Sequence, residues 1–228
     1  KQIVPLLIIL VITAYMSFEG GIYYSWLHRP RVLRVFFGTA AEVPEREIIA
    51  NYEAETGIRV EATFGSAGTL LTSMTVAKVG DIYAPGSPDY MTSANKNNVT
   101  YADTVEILAY LVPAIIVQKG NPMNITSLED LAKPGTKIGL GDPKSVCVGA
   151  YAVDLLKFNH LWEAVQQNVV VYVDSCSKVA ALPVLKSVDV VIGWHVFYNW
   201  NPNSTDIIWI APDKIPKMAY IPAAISKY

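Results

Sequence analysis

The chain has 228 residues, 52% of them hydrophobic, and its 20 acidic and 18 basic residues leave a net charge of -2. That length suits one large domain or two small lobes with real cores, and the missing basic excess argues against a nucleic-acid reader. The mean hydropathy of +0.29 is high for a soluble protein, and the apolar excess is concentrated at the N-terminus.

There, IVPLLIILVITAYM (3–16) is almost purely apolar and runs on through SFEGGIYYSWL (17–27) with one acid, Glu19. Continued to Tyr23 or Tyr24, the stretch reaches the roughly 20 residues that a membrane-spanning helix needs. Tyr23, Tyr24 and Trp26, followed by His28 and Arg29, read as an interfacial belt with a polar flank. A secretion signal has a similar length and is the competing reading; Lys1 in place of methionine points to a processed or trimmed start. We expect a retained hydrophobic helix over 1–30, acting through 3–27 as a membrane anchor or as the core of a pilin-like filament.

After Pro30 the pattern alternates between strand and helix. RVLRVFFG (31–38), IRVEATFG (58–65) and DIYA (81–84) read as strands. Between and after them, EVPEREIIANYEAETG (42–57), SAGTLLTSMTVAKVG (66–80) and SPDYMTSANKN (87–97) read as helices, the last with Pro88 in its first turn. This order is the signature of a parallel α/β sheet. A long β-rich run, ILAYLVPAIIVQKG (107–120), leads to a turn at Asn121-Pro122 and a short helix, SLEDLAKPG (127–135). A second set follows: strands 137–140, 168–173 and 189–193 with helices 147–157 and 176–186. AYIPAAISK (219–227) is a last strand. We expect lobe I over 31–112, lobe II over 113–215 and a return strand over 216–228 toward lobe I.

In open α/β sheets ligands collect at the carboxyl ends of strands, where loops meet helix N-termini. Four such loops are small and rich in Gly, Ser, Thr and Ala: GTAAE (38–42), GSAGT (65–69), SVCVG (145–149) and SCSK (175–178). Small side chains let backbone N–H groups approach a ligand, and helix starts carry partial positive charge, so the loops suit a small anion without Lys or Arg. The alternative for each loop is a tight strand-to-helix turn. His28, His160 and His195 have no metal-ligand spacing among them. FGSAG (64–68) is not a nucleophile elbow, because Ser66 directly follows Gly65, and no phosphate-binding GxxxxGK[ST] occurs. No nucleophile, base and orienter assemble, so we expect no enzyme, no catalytic residue, no metal and no cofactor. Trp194, in GWHVFYNW (193–200), stands near the expected cleft, either as a ligand contact or as a core aromatic. Three Asn-X-Ser/Thr sequons, at Asn98, Asn124 and Asn203, mark candidate glycosylation sites on an extracellular surface.

From about Leu33 to Tyr228 the chain resembles the molybdate/tungstate-binding proteins of ABC importers, which have a two-lobed periplasmic-binding-protein fold of type II. The carriers are VFFGTAAEVPEREIIANYEAETGIRVEATFGSAGTL, GDIYAPGSPDYM, GDPKSVCVGAYAVDLL and VDVVIGW, in that order and spacing. The resemblance implies a tetrahedral oxyanion held between the lobes by serine hydroxyls, backbone N–H groups and a tyrosine hydroxyl. Carried over by position, the two serines fall at Ala40 and Ala67, with Thr39 and Ser66 one place earlier. The backbone donors fall at Val148 and Cys176, and the tyrosine at Trp194, which can donate only through its indole N–H. It also implies a C-terminal helical segment after YIPAAISKY, returning to the first lobe.

Cys147 then stands one residue before the Val148 donor, and Cys176 at another donor position, so we expect a Cys147–Cys176 disulfide stapling two helix starts of lobe II; the alternative is two buried free thiols. The resulting expectation is a tethered extracellular protein on the cell surface that captures a molybdate- or tungstate-like oxyanion for an ABC importer permease, with hinges through 110–117 and 216–222. The alternative is a structural subunit of a filament or surface array, built through the N-terminal segment and carrying a repurposed binding head.

Overall fold

A computed structural model describes residues 32–228. The expected N-terminal helix over 1–30 lies outside them, and no helix of the described residues is long and apolar enough to cross a membrane. The described residues form two five-stranded sheets, each flanked by helices.

The first sheet begins with β1 (Val32–Gly38), which pairs in parallel with β2 (Arg59–Gly65) and β3 (Ile82–Ala84). The crossovers are α1 (Glu42–Thr56) and α2 (Ala67–Ala77), and α3 (Pro88–Lys96) follows β3. Helix α1 stops at Gly57, whose φ of 67° lets its N–H close on the Glu53 carbonyl. Pro88 opens α3, where its missing N–H leaves no bond unmade.

The run 107–120, which reads as continuous β in the sequence, is divided at Val112. β4 (Glu106–Leu111) ends the first sheet, and β5 (Pro113–Gln118) starts the second. β10 (Ala219–Ile225) returns to the first sheet and lies antiparallel between β3 and β4, with a register shift at Ile221/Pro222. The bulge accommodates the proline, which has no N–H for the ladder. The sheet is therefore mixed, in the order β2-β1-β3-β10-β4.

The second sheet runs β7-β6-β8-β5-β9. β6 (Ile138–Gly141), β7 (Val169–Val173) and β8 (Val190–Trp194) are parallel, whereas β5 is antiparallel to β8 and to β9 (Thr205–Trp209). Ala114, Ile115, Ile116 and Val117 on β5 are all buried, as a strand covered on both faces requires. Helices α4 (Cys147–Phe158), α5 (Trp162–Val165), α6 (Cys176–Val184) and α7 (Val196–Trp200) complete this half. The expected helix over 127–135 is only a 3-10 turn, Glu129–Ala132, because Pro134 and Gly135 cut it short. β9, α5 and α7 carry too little periodicity to stand out in the sequence.

Each sheet has its own core. Phe36, Leu70, Met74 and Tyr83 anchor the first, and Ile115, Leu131, Leu140 and Leu155 the second. A third cluster joins them: Ala40, Leu111, Cys147, Cys176, Trp194 and Ile221 pack across the boundary. The candidate site lies in that boundary.

Candidate functional site

The carboxyl ends of β1, β2 and β3 face the N-termini of α4 and α6. Gly38, Thr39, Ala40, Gly65, Ser66, Ala67 and Gly86 from the first lobe and Val146, Cys147 and Cys176 from the second enclose a cavity of about 10 Å³. That is at the lower limit for one water molecule. The walls carry no charged side chain. The fit is close at Gly86, where a Cβ would stand 3.0 Å from the Ala40 methyl and 3.1 Å from the Cys147 sulfur.

Of the expected ligand residues, Thr39, Ala40, Ser66, Ala67 and Cys176 line this cavity, whereas Val148 and Trp194 do not. Ser66 is the N-cap of α2. Its hydroxyl accepts from the Thr69 N–H at 3.3 Å and donates to the Thr69 hydroxyl at 2.7 Å. Thr39 reaches across the lobes, and its Oγ1 accepts from the Cys176 N–H at 3.0 Å. Trp194 is fully buried, edge-on to Tyr151 with ring centroids 5.2 Å apart, and its indole nitrogen has no protein partner.

The expected Cys147–Cys176 disulfide is not formed. Both residues are buried free thiols. The Cys147 sulfur is turned to the Gly86 carbonyl, 3.4 Å away on the other lobe. The Cys147 thiol, the Val148 N–H and the Thr39 hydroxyl lie around the Cys176 thiol. The Cys147 contact and burial push the Cys176 pKa up, outweighing those two donors, so it stands as a neutral thiol. Of the two backbone donors inferred from the sequence, the Cys176 N–H meets the Thr39 Oγ1 of the opposite lobe, and Val148 lies outside the cavity lining.

Further contacts hold the lobes together. The Ser177 hydroxyl donates to Glu42 at 2.6 Å, and the Tyr90 hydroxyl meets the Lys144 carbonyl at 3.4 Å. Burial pushes the Glu42 pKa up, but bonds from Ser177 and Arg46 outweigh it and hold it below the usual range. Beside the cavity is a larger recess of about 240 Å³, walled by Ser87, Tyr90, Cys147, Ala150 and Lys217. Cys147 forms part of both. At the strand crossover, Val112 and His195 exchange two bonds: the Val112 N–H donates to Nδ1 at 3.2 Å, and the His195 N–H to the Val112 carbonyl at 2.9 Å. Among the described residues no group of three or more His, Cys, Asp or Glu is placed to hold a metal.

Comparison with known proteins decides the lineage: residues 33–228 match the family model described as bacterial extracellular solute-binding protein. The chain belongs to that family. Its members bind solutes and are not enzymes. A Haemophilus influenzae protein named as a binding protein is 28% identical over 139 residues, 61% of this chain and 56% of the relative. A Bacillus subtilis protein named as an ABC transporter substrate-binding lipoprotein is 26% identical over 140 residues, 60% of this chain and 53% of that one. The matches thus span little more than half the length of these curated relatives. Among solved structures, the periplasmic molybdate-binding protein of Azotobacter vinelandii superposes with a TM-score of 0.74 at 14% identity, covering 86% of this chain and 85% of that one. The sulfate-binding protein SubI of Mycobacterium tuberculosis gives 0.73 at 16%, covering 86% and 76%. Peb3 of Campylobacter jejuni gives 0.69 at 20%, covering 86% of each. These likenesses establish the two-lobed periplasmic-binding-protein fold.

The sequons occupy exposed positions: Asn98, Asn124 and Asn203 all face solvent. Asn98 and Asn124 adopt positive φ, 59° and 48°, which asparagine tolerates in turns.

Proposed function

We propose that this family member is an extracellular capture protein, tethered by its N-terminal segment, that takes a small tetrahedral oxyanion of the molybdate or tungstate type and hands it to an ABC importer permease. One observation carries the reading. Small-residue loops of one lobe meet the N-termini of two helices of the other, around a cavity without charged walls. Such a cage binds an anion through N–H dipoles. The molybdate- and sulfate-binding structural relatives support an oxyanion in kind.

With about 10 Å³ between the lobes, a four-oxygen anion enters only when they part. The two chain crossings, 110–117 and 216–222, are the hinge segments. On capture, an anion oxygen takes the Cys176 N–H from Thr39, whose freed hydroxyl then turns to the anion as a donor. Ala40 and Ala67 supply no hydroxyl, and each missing charge-assisted bond lowers affinity by about 1.5–3 kcal/mol. The expected ligand therefore binds more weakly than in a cage with both serines. Isothermal calorimetry with molybdate, tungstate, sulfate and phosphate tests this. Heat of one-site binding is expected with at least one of them, and silence with all four refutes the proposal.

One surface feature supports the filament alternative. Edge strand β4 leaves Ile107, Leu108 and Tyr110 exposed at 48%, 54% and 62%, an apolar edge of the kind that pairs with another chain. Ordered arrays in electron micrographs of the native cell surface would support that reading; isolated molecules would oppose it.

A further inference from the structure

The two cysteines are the only ones in the chain, and both line one buried cavity, at the first residues of α4 and α6. Oxyanion capture makes no use of their sulfur atoms. We propose that this thiol pair is a binding site for a soft, two-coordinate d10 cation of the Cu(I) class, held linearly between Cys147 and Cys176.

Size and chemistry agree on this occupant. A cavity of about 10 Å³ is too small for a four-oxygen anion, but a bare monovalent ion is smaller than a water molecule and needs only the space between two sulfurs. Thiolate ligands select Cu(I) over harder ions. The absence of a third His, Cys, Asp or Glu from the group, among the described residues, matches a two-coordinate ion and not tetrahedral zinc.

Binding breaks both S–H bonds, forms two Cu–S bonds and releases two protons to solvent, with no change in oxidation state. The product, a copper bis-thiolate, carries one negative charge. The helix starts suit that charge: α4 and α6, of 12 and 9 residues, begin at Cys147 and Cys176, so their positive N-terminal ends lie at the pair. In taking the ion, Cys147 gives up its bond to the Gly86 carbonyl on the opposite lobe, so metal binding removes one inter-lobe contact. The recess of about 240 Å³ that shares Cys147 as a wall provides the entry path.

The test is an anaerobic titration of the full, reduced chain with Cu(I) against the chromophoric chelator bicinchoninate. The expected result is one Cu(I) withdrawn per chain with two protons released, and X-ray absorption showing two sulfur neighbours and no nitrogen. Cys147→Ser and Cys176→Ser should each abolish the uptake while melting cooperatively. If either serine variant fails to fold, coordination by two sulfurs in the unaltered chain decides the matter. No uptake, uptake that survives the double serine variant, or nitrogen in the coordination shell would overturn the proposal. The inference does not rest on oxyanion capture. Copper uptake without oxyanion heat refutes only that function, and oxyanion heat without copper uptake refutes only this site.

Discussion

Gly149→Ala should destabilise the protein by about 3 kcal/mol, against the sign that helix propensity alone would give. Gly149 is the third residue of α4, where alanine is intrinsically better by about 1 kcal/mol. The close approach of α4 to β6 reverses that preference. A Cβ at position 149 would stand 2.1 Å from the Gly141 carbonyl oxygen and 2.5 Å from its carbon. Both are backbone atoms of a buried strand, so no rotamer change relieves the clash, and the helix start must move. Overpacking of this kind costs about 1–3 kcal/mol and occasionally more, which outweighs the propensity gain. For a chain of this size the expected drop in Tm is roughly 10 °C. Cys147 and Val148 move with the helix start, so ligand binding should weaken as well. Ala150→Gly, one residue along, should cost only the propensity difference of about 1 kcal/mol. A Gly149→Ala variant at least as stable as the parent would contradict the packing of α4 described here.

Glu45 should make stability fall as pH rises from about 4.5 to about 8. Its side chain is buried, 5% exposed, and neither carboxylate oxygen has a protein partner. Burial, reinforced by the neighbouring Glu42 charge, raises its pKa from 4.5 to about 8. The sign follows from proton counting. Between these values the folded state holds a proton that the unfolded state has released, so raising the pH favours unfolding. The contribution is intact below about 4.5, declines through the window and is gone above about 8. At 1.36 kcal/mol per pKa unit it amounts to several kcal/mol. Above pH 8 the ionised Glu45 also repels Glu42, which holds Ser177 of the other lobe, so the inter-lobe latch should loosen. Urea unfolding from pH 5 to 9 measures the decline. In Glu45→Gln this part of the decline should vanish, leaving the variant the more stable form at pH 9. Equal slopes for the two proteins would contradict a buried, raised carboxyl.

Glu45 also shows where sequence reading stops. In EVPEREIIANYEAETG the apolar residues invite an inward face, yet Val43 and Ile48 are exposed at 54% and 63% while Glu45 is buried. Nothing in the periodicity signals this, because the seat of α1 is set by tertiary contacts such as that between Glu42 and Ser177. The alternation of strands and helices was legible because buried strands and capped helices leave strong local marks, as at Gly57 and Pro88. The sheet change at Val112 was not, since an apolar run looks the same whether one sheet or two receive it. Residues of all four small loops line one cavity. That Thr39 meets the Cys176 N–H, and that Cys147 turns to Gly86 instead of forming a disulfide, depends on rotamers and on how the lobes meet. No spacing encodes those.

The cleft as an oxyanion site is tested most directly by crystals of the chain grown with molybdate or tungstate, both strong anomalous scatterers. The expected result is a single anomalous peak between loops 38–42, 65–69, 145–149 and 175–178, within hydrogen-bonding distance of the Val148 and Cys176 N–H groups. A peak elsewhere, or none at saturating anion, would contradict oxyanion capture by this cleft.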